Sequence, residues 1–450
     1  MWLYQIHIER NSMISIGEGH CVAVLFNNIL PVPLRFTQIQ QQAKIGDIME
    51  ATAGYKQSMS NYKLSIQLRS AVAMFNTTFV GLDVHKETIT IARAKGYTGN
   101  IKVYGSIKND IKLLMKVLLK FNQVENLIVC YEASSCGYTI YRLLIDAGIE
   151  CKVVALSLIP RKPGERVKND RRDTKKLTNL LRSNELTFIW IPDRENEALR
   201  DLLRAREKVV SDFTRAKNRI KQFLLRNNIM PPEGINSWTV AYRQWLDRIQ
   251  INNEAQSFVL QEYLQNYDQV RLQVKRFDKN IEKYVPTCSQ KDFIKALKGF
   301  RGIDTVTSAS IACEIGDIRQ FQQPRKLMSY LGVIPSEHSS GNSRHQGNIT
   351  KEGNTHLRRV IIEACQHYKL KPKVSYTLSK RQKGLSPVLK NISWRAQRRL
   401  HNKYWRLSGR GKPYQVVIIA IARELMGFIW ETGMQIVNEN EKSRKNGHVA

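Results

Sequence analysis

The sequence predicts an α/β domain with a mixed sheet, then an all-α, coiled-coil-like middle, then a mostly helical C-terminal domain. Three observations predict it. Between residues 77 and 155, short apolar runs alternate with amphipathic stretches, the pattern of strands and helices packed in layers. Beyond Pro192 the apolar residues switch to three-and-four spacing over two long runs. From about Gln290, shorter helical stretches are separated by glycine turns and the charge becomes strongly one-signed.

The elements follow in order. TTFVGLDVHKETITIARAKG (77–96) reads as a β-hairpin turning at HKE. A third strand is expected in NIKVYGSI, and KNDIKLLMKVLLKF is an amphipathic helix. NLIVCYEA is a short buried strand ending in a glutamate. SSCGYTIYRLLIDAG is a helix with Gly148 after its end. IECKVVAL is another buried strand, and KNDRRDTKKLTNLLRSNEL opens a further helix. EALRDLLRAREKVVSDFTRAKNRIKQFLLRNN is one long helix ended by Pro231–Pro232. A second long helix runs from about Glu254 to Val285, with Tyr267, Val270, Val274, Phe277, Ile281 and Tyr284 as a heptad seam. The pair reads either as an antiparallel hairpin within one subunit or as a dimerising coiled coil. FIKALKGFRGIDTVTSASIACEIGDI resembles a helix-hairpin-helix element, whose turn amides contact a phosphate backbone. Further helices extend to about residue 436, and NENEKSRKNGHVA is expected to be a disordered tail. The expected domains are 74–192, 193–289 and 290–436, with tail 437–450.

Residues 1–73 have no sustained period and lack the basic-then-apolar start of a signal peptide. Met74 immediately precedes FNTTFVGLDV. Residues 1–73 are therefore expected to be an extension outside the functional fold.

The chain has 450 residues with 42% hydrophobic content, enough for two or three ordinary cores. Its 71 Lys+Arg against 39 Asp+Glu give a formal net charge of +32. That excess implies a polyanionic partner, with nucleic acid first. No apolar run approaches the ~20 residues that span a bilayer, so no membrane partner is expected. The seven cysteines are odd in number and form no CxxC pair, which excludes a disulfide framework and a zinc ribbon and fits a reducing cytoplasm. Between Glu363 and Glu424 no acidic residue occurs, while fifteen Lys and Arg do, Arg395, Arg398 and Arg399 among them. Trp394, Tyr404 and Trp405 are interleaved. This reads as a phosphate-binding surface with base-stacking rings.

Four acids stand at telling positions. Asp83 lies inside the first apolar strand and Glu132 ends LIVCYE. Asp170 and Asp173 lie three apart at a helix start, on one face. A buried strand carboxylate is costly unless it is paired or bound to metal. The set suggests oxygen ligands for two Mg²⁺ ions. For Asp170 and Asp173 the plainer alternative is a favourable interaction with the helix dipole. The run HSSGNSRHQGNITKEGN (338–354) is a poor helix and a poor strand and reads, taken alone, as a solvated loop.

Asp83, Glu132, Asp170 and Asp173 match the DEDD order of a RuvC-like, RNase H-type domain. EIGDIRQF, YLGVIPSEHSSG, GNITKEGN and HLRRVIIEA resemble segments of the DEDD transposases related to the Piv DNA invertases. These are insertion-sequence recombinases, some guided by a structured bridge RNA from the element. The resemblance covers about residues 77–430. It implies that the serine loop carries a nucleophile, Ser340 before Gly341, with Ser339 as its neighbour. The four carboxylates would bind Mg²⁺ and support its attack on phosphorus. Arg344 and Lys351 would clamp phosphate charge, and the amides of Gly353 and Asn354 would bind an anion. Arg358 and Arg359 are either backbone contacts or plain helix surface. The resemblance further implies DNA as substrate, a guide RNA and a homodimer or homotetramer. Thr174 stands where the family usually has alanine. The alternatives are a metal-dependent nuclease or junction resolvase with water as nucleophile, and a non-catalytic DNA-binding protein.

Overall fold

A computed structural model describes residues 76–134, 136–155, 158–160, 169–340 and 343–447, with backbone alone at 338–340, 344 and 444–447. The extension 1–73 lies outside the described residues. The chain divides into two compact units, one ending at Ile189 and the other beginning at Trp190.

The first unit is built on a five-stranded sheet ordered β3-β2-β1-β4-β5. Its strands are β1 (Thr78–Val84), β2 (Thr88–Lys95), β3 (Lys102–Lys108), β4 (Leu127–Glu132) and β5 (Glu150–Val154). β1, β2 and β3 form an antiparallel meander, whereas β1, β4 and β5 run parallel. The sheet is thus mixed, as the sequence predicts for an α/β domain of the RuvC-like kind. β1 and β2 are covered on both faces, β1 as a mainly apolar run and β2 as an alternating one. β3, at the edge, alternates between exposed and half-buried residues.

Among the described residues three α-helices complete this unit: α1 (Ile111–Leu119), α2 (Thr139–Asp146) and α3 (Asp170–Arg182). Helix α3 buries Thr174, Leu177, Thr178, Leu180 and Leu181. Its approach to β1 requires a glycine. A Cβ on Gly81 would stand 2.6 Å from Thr178 Oγ1 and 2.9 Å from the Thr174 carbonyl oxygen. The Gly81 N–H donates to Thr178 Oγ1 at 3.1 Å, tying strand to helix.

The second unit begins with α4 (Arg194–Arg226), α5 (Val240–Asp247) and α6 (Glu254–Tyr284). Arg206, in the first half of α4, pairs with Asp278, in the last third of α6, at 2.5 Å. Phe213 and Tyr267 meet at 5.1 Å between ring centres, their planes tilted by 31°. The two helices therefore form an antiparallel hairpin within one chain. Leu260, Leu264, Tyr267, Val270 and Ile281 are buried along α6. Tyr284, at the end of the expected seam, is half exposed.

The main core of this unit gathers Leu199 and Leu203 of α4 with Ile281 of α6 and with the helices that follow. These are α7 (Lys291–Leu297), α8 (Thr305–Ile315), α9 (Pro324–Tyr330), α10 (Thr355–Cys365), α11 (Tyr376–Arg381), α12 (Pro387–Gly409) and α13 (Tyr414–Gly447). The glycine turn between α7 and α8 forms where expected. Gly302 has φ +78°, and a Cβ there would meet the His367 ring at 2.7 Å.

Two expectations are corrected. The run 338–354 is not wholly loop, because β6 (Pro335–Ser340) and β7 (Ser343–Ile349) form an antiparallel hairpin. Ser339 faces Arg344 and Ser340 faces Ser343, with Gly341 and Asn342 between the strands and outside the described residues. Strand propensities largely measure side-chain packing on a half-buried face. This hairpin exposes Ser343, His345 and Gln346 and is joined by its backbone ladder, so composition hides it. The second correction concerns the C-terminal tail, since α13 continues to Gly447. Its extra turns are anchored by Glu439, whose carboxylate accepts from Ser386 Oγ at 2.8 Å and from Gln435 Nε2 at 2.9 Å.

Cys130, Cys136, Cys151, Cys288, Cys313 and Cys365 are all free thiols, while Cys21 lies outside the described residues. Among the described residues no helix is long and apolar enough to cross a membrane.

Candidate functional site

The carboxylates of the first unit are placed by strand register and helix phase. Leu82 pairs with Tyr131 across the parallel strands β1 and β4. The next residue on each strand is an acid. Asp83 and Glu132 thus stand side by side at the C-terminal ends of neighbouring parallel strands, where open α/β sheets bind their ligands. Both are half-buried, in strands otherwise almost fully covered.

Asp170 and Asp173 occupy the first turn of α3, capped by Asn169, whose side chain accepts from the Arg171 N–H at 3.0 Å. They extend the buried stripe of Thr174, Leu177 and Thr178 by one turn towards the helix start. Seating that stripe on β1 and β2 carries Asp170 to the end of β1. Thr174 is fully buried in this seat, and its hydroxyl donates to the Asp170 carbonyl.

The structure also brings in a residue that sequence reasoning passed over. His85 Nε2 lies 3.3 Å from Asp83 Oδ2 and 3.9 Å from Asp170 Oδ2. One ligand atom from each of Asp83, His85 and Asp170 falls within 4.8 Å of the others. Glu132 and Asp173 are not in that group of three. A signal was present in the sequence, since Asp83 and His85 are two apart on extended chain and so share a face.

Burial pushes the Asp83 carboxyl up. His85 opposes this, the Asp170 and Asp173 carboxylates add to it, and Asp83 ends above the usual range. Like charges brought together at a strand end are relieved by a bound cation. Two carboxylates and an imidazole are donors suited to a divalent metal.

In the second unit, Ser340 is the last residue of β6. Its side chain, with those of His338, Ser339 and Arg344, lies outside the described residues. Lys351 is exposed and has φ +56°. The Asn354 N–H, expected to bind an anion, donates instead to the Tyr330 carbonyl at 3.0 Å. The Asn354 side chain caps α10 through the Leu357 N–H at 2.9 Å and donates to Glu314 Oε2 at 2.7 Å.

Several of the predicted phosphate contacts have partners inside the chain. Arg358 donates to the Leu331 carbonyl at 2.9 Å. Arg359 pairs with Glu207 and with Glu363, each at 2.9 Å. Arg395 pairs with Glu431 at 2.6 Å and Arg399 with Glu424 at 3.0 Å. Arg398, between them on α12, is exposed and has no ion pair among the described residues. The acids of α13 thus neutralise part of the basic run of α12, a pairing invisible in a sequence where they stand 25 and 36 residues apart. Trp394 and Trp405 are exposed at 38% and 56%, whereas Tyr404 packs against the core.

A sheet with acids at adjacent parallel strand ends, a helix-borne acid pair and a basic helical second unit are the parts an enzyme acting on nucleic-acid strands would need. Comparison with known proteins makes the class specific. Residues 80–229 match a transposase family of the DEDD, IS110 type, and residues 294–377 match the transposase IS116/IS110/IS902 family. "Putative transposase y4qE" of Sinorhizobium fredii (strain NBRC 101917 / NGR234) is 38% identical over 362 residues, 80% of this chain and 89% of the relative. "Transposase for insertion sequence element IS1533" of Leptospira borgpetersenii is 31% identical over 349 residues, 75% of this chain and 99% of the relative. "Transposase for insertion sequence element IS1111A" of Coxiella burnetii is 20% identical over 316 residues. The chain belongs to the IS116/IS110/IS902 family of DNA transposases. Membership implies DNA binding and use of a divalent metal.

Proposed function

We propose that this transposase cuts and exchanges DNA strands through a serine–phosphate ester at Ser340. Asp83, Glu132, Asp170 and Asp173 are its Mg²⁺ ligands, and a structured RNA from its own element guides it. The observation that carries this reading is the convergence of Asp83 and Asp170, from a strand end and a helix start, to carboxylate contact with one imidazole nitrogen. Acids so placed have no packing role at a sheet end, and their mutual repulsion calls for a cation.

Ser340 Oγ attacks phosphorus and gives its proton to water. The bond from phosphorus to the sugar oxygen breaks, and that oxygen takes up a proton. The strand is held as a phosphoserine ester. A sugar hydroxyl of another strand then attacks the ester and frees the serine, so one phosphodiester replaces another without external energy. A bound divalent ion supplies positive charge to the phosphate and the leaving oxygen. Asp83 and Glu132 are fixed by the sheet, and Asp170 and Asp173 by the seat of α3, which pre-organises the donors. Arg344 and Lys351 balance phosphate charge near the hairpin. Arg358, Arg359, Arg395, Arg398 and Arg399 contact nucleic-acid backbone. The excess of cations, +32 in all, suits DNA together with RNA. Exchange between two duplexes involves four strands and requires at least a homodimer, with a homotetramer supplying one serine per strand. The reaction belongs to the cytoplasm, where the element's DNA and RNA meet.

The test uses the protein, RNA from the element's flank, Mg²⁺ and labelled element-junction DNA, resolved on denaturing gels after boiling in detergent. A protein–DNA band present in wild type and Ser339→Ala, but absent in Ser340→Ala and Asp83→Asn, is expected. Cut DNA without an adduct, persisting in Ser340→Ala, would make water the nucleophile and this chain a carboxylate nuclease.

A further inference from the structure

We infer that His85 is a nitrogen ligand of the metal site, which makes the donor set mixed rather than all-oxygen. This rests on the carboxylate metal site proposed above and adds to it a residue outside the four acids.

The geometry is specific. The imidazole is presented by a turn fixed at both ends. The His85 N–H donates to the Thr88 carbonyl at 2.9 Å, and Asn109 Nδ2, from just beyond β3, donates to the His85 carbonyl at 2.7 Å and the Lys86 carbonyl at 3.3 Å. The Asn109 N–H also donates to the Glu87 carbonyl at 2.9 Å. The ring is not left to wander on a loose loop.

The same nitrogen, Nε2, faces carboxylate oxygens from two different elements, Asp83 of β1 and Asp170 of α3. An ordinary surface ion pair needs one partner. A nitrogen aimed between two carboxylates is placed as a third donor to a common centre. Bonds of about 2.1 Å set two ligands of one ion at most roughly 4.2 Å apart. His85 Nε2 stands 3.3 and 3.9 Å from the two carboxylate oxygens and all three donor atoms lie within 4.8 Å of one another, so a small contraction closes the set. The side chain is half exposed, which leaves room for that movement.

The consequence is chemical. Carboxylate and water oxygens suit Mg²⁺, whereas an imidazole donor shifts preference towards Mn²⁺ and the later first-row ions. Mn²⁺ should therefore bind more tightly than Mg²⁺ by a margin that depends on His85.

The test is pulsed electron paramagnetic resonance of Mn²⁺ bound to the full-length chain, with binding measured in parallel and Mg²⁺ as competitor. A directly bound imidazole imprints a ¹⁴N modulation on the electron spin echo. We expect that modulation in wild type, its replacement by a ¹⁵N pattern when the protein carries ¹⁵N-histidine, and its loss in His85→Gln. The same variant should retain Mn²⁺ but bind it roughly tenfold more weakly. Isotope labelling leaves the sequence untouched, so the result does not hang on the variant's folding. Bound Mn²⁺ without nitrogen modulation in wild type would overturn the ligand role of His85 and leave the carboxylate site standing. Mn²⁺ binding no tighter in wild type than in Asp83→Asn would overturn both.

Discussion

Gly81→Ala tests how α3 is held over the strand that bears Asp83. The added methyl would lie 2.6 Å from Thr178 Oγ1, 2.9 Å from the Thr174 carbonyl oxygen and 3.0 Å from the Thr178 nitrogen. Ordinary contacts begin near 3.4 Å, so the helix must retreat by several tenths of an ångström. Two of the three atoms are backbone, so no side-chain rotation relieves the overlap. Overpacking of this kind costs about 1–3 kcal/mol. Replacing a strand glycine returns about 0.5–1 kcal/mol of chain entropy. The net expectation is destabilisation of about 1–2 kcal/mol, read as a lower urea midpoint at unchanged slope. The displacement also moves Asp170 and Asp173, so metal affinity should fall with stability. Thr178→Ala removes the atom nearest the new methyl but leaves the Gly81 N–H without its acceptor, a loss of about 1 kcal/mol. The double variant should therefore lose less than the sum of the singles. A Gly81→Ala protein within about 0.5 kcal/mol of wild type, with unchanged metal affinity, would refute the seating of α3 on Gly81.

Other outcomes follow from the second unit. Glu314 is buried, yet the Arg204 guanidinium at 2.8 and 2.9 Å and the Asn354 amide at 2.7 Å outweigh burial and hold its carboxyl below the usual range. Glu314→Gln should destabilise by about 2–3 kcal/mol, less than a fully buried pair because Arg204 is partly exposed. A depressed carboxylate contributes stability above its unfolded value and loses it as pH falls through its folded value. Acid titration of stability below about pH 4.5 should therefore be shallower in Glu314→Gln than in wild type. Arg398→Ala should weaken DNA binding and reduce the slope of log affinity against log salt by about 0.9, whereas Arg399→Ala, already paired to Glu424, should change it less. Equal effects of the two would show that the Glu424 pair opens on binding. Titration calorimetry across a salt series reads both.

The sequence by itself determined the order of strands and helices in the first unit. Buried strands need apolar runs, and amphipathic helices need three-and-four spacing, so TFVGLDV and DRRDTKKLTNLLR announce themselves. It also determined that Asp83 lies within one apolar strand and Glu132 ends another, since a charge in such a run is conspicuous. Tertiary structure decided what meets what. Only the parallel register of β1 and β4 sets Asp83 beside Glu132. Only the seat of Thr178 on Gly81 brings Asp170 to His85. Whether the long helices paired within the chain was likewise settled by packing, through contacts such as Arg206 with Asp278. The hairpin of Pro335–Ile349 and the neutralisation of Arg395 and Arg399 by α13 escaped the sequence for one physical reason. Local patterns encode which face of an element is apolar. A backbone ladder in a polar segment, or an ion pair between distant helices, depends on positions fixed only after the core has closed.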